Sequence, residues 1–244
     1  MRAARFFVDA PLAPDTGIAL PPRVSHHALR VLRLRDGDPI VLFNGTGGEF
    51  AARLSVSGAS VQAAIDTFDA VEREAPLRVT LVQAWVAADK LDWMVEKAVE
   101  LGVHSIVLAP AQRSVVRLGG DRLAKRVERL RELIIAACAQ CGRNRIPSAE
   151  AAQTLSAALQ SALNDDSIGV LLHPKAESPI AVEDLRDQAI ALAVGPEGGF
   201  DDAEITLALH AGYRACRLGP RVLRTETAGL AALAALQAIG GDFR

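Results

Sequence analysis

At 244 residues, half of them hydrophobic, and with a formal net charge of −2, the chain has enough apolar side chains for one large core or two unequal ones. Asp9 interrupts the first apolar run and no run approaches the ~18 residues of a membrane span, which sets aside a secretory signal and a membrane anchor; the cytoplasm is the expected compartment. Three cysteines argue against a disulfide framework, and the C-x-x-C of Cys138 and Cys141 lies in a helical pattern with no second ligand pair nearby, so no metal is expected.

Taken in chain order, residues 1–72 read as a small β-rich domain. Short strands are predicted over 5–8, 39–43, 49–56 and 60–66, with NGTGG at 44–48 as a hairpin turn. Between the first two, Ser25 is expected to cap a helix that turns Leu29 and Leu32 inward. His26, Arg30 and Arg33, spaced i, i+4, i+7, then share another face, where guanidinium groups suit RNA phosphates. The polar stretch 71–76 ends in proline and marks the linker.

From residue 73 to 244 strands and helices alternate. Strands are predicted over 78–86, 103–110, 168–174, 189–194 and 213–219, and helices over 89–101, 120–141, 202–211 and from the 220s to about 239. The pattern implies a parallel sheet covered by helices on both faces. In the first of these helices Leu91, Met94, Val95, Ala98 and Leu101 form the apolar stripe and Gly102 ends it, while Asp201 and Glu204 make a capping box before the helix at 202–211.

Charge is segregated along the chain. Residues 23–35 carry four arginines and no acid, and 113–131 carry seven Arg or Lys against two acids; 150–187 reverse this, with seven acids against Lys175 and Arg186. A nearly neutral chain with separate positive segments fits a protein that grips a polyanion on one side.

The most informative stretch is 195–228. The strand at 189–194 opens into GPEGGF (195–200), and LGPRVLRTETA (218–228) follows. A glycine-rich turn after a buried strand sets backbone N–H groups and a helix N-terminus at the carboxyl edge of a sheet, where α/β proteins bind ligands. Neither the dinucleotide GxGxxG nor the P-loop is present; Pro196 removes a donor and Glu197 repels a phosphate. A carboxylate and free carbonyls suit a ligand with hydroxyls, an amino group or a positive centre, and S-adenosylmethionine (SAM) has all three. Gly198 and Gly199 would let the backbone approach it closely.

Together these two loops resemble the knot loops of the SPOUT methyltransferases, and more narrowly the chain resembles the RsmE family, which methylates N3 of a uridine in 16S ribosomal RNA. Further matching segments are HHALRVLRLRDGD (26–38), LFNGTGGEF (42–50), DKLDWMVEKAVELGV (89–103), QRSV (112–115), QCGRNRIP (140–147) and LLHP (171–174), so the likeness covers nearly the whole chain. It implies a PUA-like RNA-binding module in 1–72, a SPOUT domain with a C-terminal trefoil knot in 73–244, and a homodimer that completes the site. The implied SAM pocket comprises Leu172, His173, Gly195, Pro196, Glu197, Gly198, Gly199, Leu218, Gly219, Leu223 and the turn Arg224, Thr225, Glu226, Thr227, Ala228. One departure is Ala139, where the family usually has Glu before Gln-x-Gly-Arg; any contact that Glu makes to RNA or the active site is in question here.

Methyl transfer from a sulfonium is an in-line displacement, so positioning dominates, and uracil N3 must lose a proton. Glu226 is the candidate base or cofactor ligand, Arg224, Arg143 and Arg113 are the candidates for stabilising the uracil anion, and His26, Arg30, Arg33, Arg113 and Arg143 are the expected RNA contacts. A non-catalytic RNA-binding protein would leave GPEGGF and LRTETA without a role, a SPOUT enzyme could act on another RNA position, and a nucleotide hydrolase lacks its P-loop lysine.

Overall fold

The computed structural model describes residues 3–58, 60–164, 166–180 and 189–243. Asp165 and Arg186, with the rest of the 181–188 part of the acidic stretch, lie outside the described residues. The chain forms two compact units. One comprises Met1–Glu74 with Cys138–Ile146, the other Ala75–Ala137 with Pro147–Arg244.

The first unit is built on a five-stranded sheet in the order β1-β3-β4-β5-β2, from β1 (Ala4–Phe7), β2 (Thr16–Ala19), β3 (Pro39–Phe43), β4 (Glu49–Ser57) and β5 (Ser60–Asp69). Only β1 and β3 run parallel. Strict alternation along β4 turns Phe50, Ala52 and Leu54 into the core and leaves Ala51, Arg53 and Ser55 outside, as the period of two requires. The predicted turn at 44–48 joins β3 to β4, with Gly47 at φ +100°, a backbone conformation that a side chain would strain. The edge strand β2 was not expected, because TGIA is too short and too polar to show a period.

The helix expected after Ser25 is different. A single α-turn, α1 (Pro22–His26), has Pro21 at its N-cap, and Ser25 sits inside it with its hydroxyl donating to the Leu20 carbonyl. The chain then passes into a π turn over His27–Val31 and leaves it at Arg33, whose φ is +57°. Widening the turn breaks the i, i+4, i+7 periodicity. Ala28 is the buried residue and Leu32 is 43% exposed, so the expected inward Leu32 and the shared helical face are both corrected. His26, Arg30 and Arg33 are nonetheless all exposed.

A polar seam fixes residues 142–145 to the rest of this unit. Arg5 donates to Glu49, to Asn144 Oδ1 and to the Gly142 and Arg143 carbonyls. Arg73 joins Glu49 and the Gly142 carbonyl at 3.0 and 2.9 Å, Arg143 grips Glu74 with two nitrogens, Arg145 meets Glu72 at 2.7 Å, and the Asn144 amide reaches the Val71 carbonyl. Burial pushes the Glu49 carboxyl up, but the Arg73 and Arg5 hydrogen bonds outweigh it and hold the group below the usual carboxylate range. Cys138 is buried in the same unit, and burial pushes its thiol up to about 12.

The second unit holds a six-stranded parallel sheet in the order β11-β9-β10-β6-β7-β8. Its elements are β6 (Arg78–Ala84), α2 (Ala88–Glu100), β7 (Ser105–Ala109), α3 (Gly120–Cys141), β8 (Ser148–Ala151), α4 (Leu155–Ala162), β9 (Ser167–Leu172), β10 (Ala189–Val194), α5 (Asp202–His210), β11 (Tyr213–Cys216) and α6 (Thr225–Gly240). The last residues of α3, from Cys138, group with the first unit. One sheet face packs Val82, Val107, Ala191 and Tyr213 against Leu155, Leu159 and Ala208 of α4 and α5. On the other face α6 crosses β10 and β6 and packs on α2.

The predicted stripe of α2 is buried at Leu91, Met94, Val95 and Ala98, but Val99 takes the last inward place and Leu101 is the C-cap. Gly102 follows at φ +80°, and the Asp201/Glu204 capping box is formed. The strand β8 and helix α4 were not expected. Among the described residues no helix is long and apolar enough to cross a membrane.

Candidate functional site

Three loops leave the carboxyl ends of neighbouring strands β9, β10 and β11, and together they enclose a cavity of about 210 Å³. Leu172 and His173 come from the first loop, Gly195, Pro196, Glu197, Gly198 and Gly199 from the second, and Leu218, Leu223, Thr225 and Ala228 from the third. Gly219, Arg224, Glu226 and Thr227, expected with them, are not among its lining residues. Leu172, Val194, Leu218, Val222 and Leu223 make its walls largely apolar.

Hydrogen bonds fix the loops to one another. The His173 N–H donates to the Cys216 carbonyl at 2.9 Å, and Arg217 donates to the Ala176 carbonyl at 2.8 Å, so the loop after β9 is clamped to the end of β11. The Thr225 hydroxyl, in the first turn of α6, donates to the Gly195 carbonyl at 2.6 Å and accepts from Gln83 Nε2 at 3.2 Å. Gln83 is 1% exposed at the end of β6, opposite Val194 of β10, so this chain ties α6 to the centre of the sheet. A Cβ on Gly195 would lie 2.9 Å from the Phe200 nitrogen and 3.1 Å from the Gly199 carbonyl carbon; the turn exists only without one. Gly199, at φ +69°, has the left-handed backbone, not Gly198, whose added Cβ would instead meet the Arg113 side chain at 3.1 Å.

Between residues 218 and 223 the described backbone enters no backbone–backbone hydrogen bond.

Charge gathers beside the cavity. Lys90, in the first turn of α2, lies 3.3 Å from Glu197 and 3.7 Å from Glu226. Glu226 Oε2 is buried without a hydrogen-bond partner among the described residues, so the shared ammonium is what opposes its charge. Arg224 is exposed at the N-cap of α6 and makes no side-chain capping bond. Arg113, also exposed, donates to the Gly198 carbonyl at 3.0 Å. Arg143, in the first unit, is 5% exposed and donates to Glu74 with two nitrogens.

Sequence reasoning missed Lys90 and Gln83. A usable signal was there for Lys90, since a cation in the first turn of a helix opposes the macrodipole and calls for a local reason. Gln83 stands in the apolar run of β6, where a buried amide needs a partner.

The chain is matched by two family descriptions: an RNA methyltransferase domain over residues 73–237, which holds the three loops, and an RNA methyltransferase PUA domain over residues 20–65. Among curated proteins the chain is 32% identical over 219 residues to ribosomal RNA small subunit methyltransferase E of Bacillus subtilis, covering 86% of each chain. A crystal structure of the protein of that name from Neisseria gonorrhoeae, bound to SAM, aligns at TM-score 0.90 and 35% identity over 100% of both chains. A Legionella pneumophila methyltransferase in complex with bound SAM aligns at TM-score 0.94, also at 35% identity and over 100% of both. The chain belongs to the ribosomal RNA small subunit methyltransferase E family. The α/β fold with a parallel sheet and a PUA-like first module is thus the one expected.

Proposed function

We propose that this protein transfers the methyl group of SAM to N3 of a uridine in the 16S RNA of the small ribosomal subunit. The observation that carries this reading is the cavity itself, with apolar walls, on three loops at the carboxyl edge of the parallel sheet in a chain that aligns over its full length with a SAM-bound member of the family. The residues present fit the cofactor. Leu172, Leu218 and Leu223 offer an apolar slot for the adenine, the backbone of 218–223 supplies its donors and acceptors, and Glu197 suits an amino group or a positive centre. His173, Gly195, Pro196, Gly198, Gly199, Gly219, Thr225, Thr227 and Ala228 complete the binding set.

When bound, SAM supplies a methyl group on a positively charged sulfur. The chain's own part is to hold the uracil in line and to manage its N3 proton. Glu226 takes that proton, and the exposed Arg224 stabilises the negative charge that spreads onto O2 and O4. Lys90 is the positioning residue: by pairing with Glu197 and Glu226 it sets the second and third loops at one spacing. Arg143 keeps its place in the Glu74 pair and acts on the reaction only by holding the first unit's fold.

The first unit, residues 1–72 in the main, selects RNA through His26, Arg30 and Arg33, and Arg113 contacts RNA from the rim of the cavity. The remaining chain, 73–244, carries the chemistry, with its C-terminal segment threaded as the family's trefoil knot. A second copy of the chain completes the site as a homodimer, and the enzyme works in the cytoplasm, where small subunits are found.

Titration of the purified protein with SAM and, separately, with ATP tests the assignment. Saturable SAM binding with no ATP binding is expected. ATP binding without SAM binding would replace the reading with a nucleotide hydrolase, and RNA binding without SAM binding would replace it with a non-catalytic RNA-binding protein.

A further inference from the structure

A second cavity, of about 460 Å³, opens at the other half of the same carboxyl edge, beneath the loop from β7 to α3 and the loop from β8 to α4. Its volume is within the ~300–1,000 Å³ of small-molecule sites. The walls are mixed, apolar at Ala111, Val116, Leu118, Leu123, Leu155 and Trp85 and polar at Gln112, Gln153, Thr154 and Glu204. At its mouth stand the amides of Gln112 and Gln153, which make no hydrogen bond among the described residues, and the exposed Arg117.

The next hollow, of about 260 Å³, shares Trp85, Val116 and Leu118 with it and adds Arg122, Lys125 and Arg126. Arg126 is committed to Asp92 and to the Ala88 carbonyl, whereas Arg122 and Lys125 are exposed and hold no ion pair among the described residues. A cavity with apolar and polar walls and two amides at its mouth, beside a hollow with two available cations, matches a base and its phosphate.

The place of this slot points to RNA. Glu204 lines it, accepts the Gln112 N–H at 2.7 Å and closes the capping box of α5, immediately after the glycine loop of the cofactor cavity. From the same β7–α3 loop Arg113 reaches the Gly198 carbonyl. Gly198, Gly199 and Phe200 line the first cavity and Glu204 the second, so the two open on either end of one short loop. An RNA strand whose target base meets the cofactor at the first cavity therefore has the second within reach of its neighbouring nucleotides.

We propose that this second cavity seats the base of an RNA nucleotide neighbouring the methylated one, read by Gln112 and Gln153, with its phosphate on Arg122 and Lys125. The inference rests on the proposed function. Because the chain has two tryptophans, Trp93→Phe leaves Trp85 as the only one and makes its emission a reporter of this cavity.

Titration of that variant with a single-stranded RNA nonanucleotide should change the emission saturably. Adding Gln112→Ala with Gln153→Ala should weaken RNA binding roughly tenfold, raise the RNA KM to match, and leave SAM affinity and kcat at saturating RNA unchanged. Arg122→Glu with Lys125→Glu should weaken binding more at low salt than at high salt. Normal methyl transfer by the parent with unchanged RNA KM in both double variants would overturn this site alone. Absence of methyl transfer by the parent would overturn the proposed function and this site with it. An equal emission change with polyglutamate, or a change of oligomeric mass in the amide variant, would assign the cavity to a protein partner and overturn the nucleotide.

Discussion

The polar seam of the first unit and the carboxyl edge of the second use similar residues to opposite ends. In the seam each arginine has its carboxylate or carbonyls: Arg5 and Arg73 share Glu49, Arg143 takes Glu74 and Arg145 takes Glu72. At the carboxyl edge one lysine serves two glutamates, Glu226 Oε2 lacks a hydrogen bond among the described residues, and Arg224 stands at a helix N-cap, where the macrodipole disfavours a cation. Charges that neutralise one another hold a fold together. Charges left incompletely matched beside a cavity are available to a substrate.

The contrast breaks most completely at Gly195. Gly195→Ala forces the Phe200 backbone away and opens the turn, so SAM affinity should fall by at least 10²-fold, on the order of 3 kcal/mol, while thermal unfolding moves little; calorimetry on the folded variant checks this. Next is Arg224→Ala, expected to lower kcat by about 10²- to 10³-fold at saturating SAM, as removal of one anion-stabilising donor does. An equal loss in Arg143→Ala without loss of stability would erase the distinction between the two regions.

In the seam, Glu49→Gln leaves the 5%-exposed Arg5 side chain without its counter-charge and should cost about 3 kcal/mol, read as a fall in unfolding temperature with SAM affinity retained. The sign of the acid response follows from the same group. Its folded pKa lies below 4.5, so the stability it adds is fully present above that value and is lost as pH falls through the folded pKa; the variant's stability should be flatter there.

Smaller effects sharpen the comparison. Lys90→Met should weaken SAM binding about tenfold, since two carboxylates lose one shared partner, and Lys90→Arg should restore most of it. Arg30→Glu with Arg33→Glu should weaken RNA binding at low salt and reduce the slope of log affinity against log salt by about 2, with SAM affinity unmoved.

Much of the architecture was legible because its signals are local. β3, β10, α3 and the capping box of α5 lie where period and caps put them. β2 and β8 have four residues each, too few to show a period, and are strands because a neighbour supplies their hydrogen bonds. The π turn at His27–Val31 was invisible for a related reason: nothing in HALRV departs from helix propensity, and the wider turn is a matter of packing Ala28 into the core. For the site, the glycine loop announced itself through its composition. Lys90 came from α2, over a hundred residues away from Glu197 in sequence, and Arg143 read as a free cation because its partner, Glu74, is sixty-nine positions away.

The central claim is the product. Incubation of the protein with labelled SAM and small ribosomal subunits, followed by digestion and nucleoside analysis, should place the label in 3-methyluridine, with a rate that rises with pH until the group that takes the N3 proton has ionised. Label found only in a ribose-methylated or C5-methylated nucleoside would contradict the account.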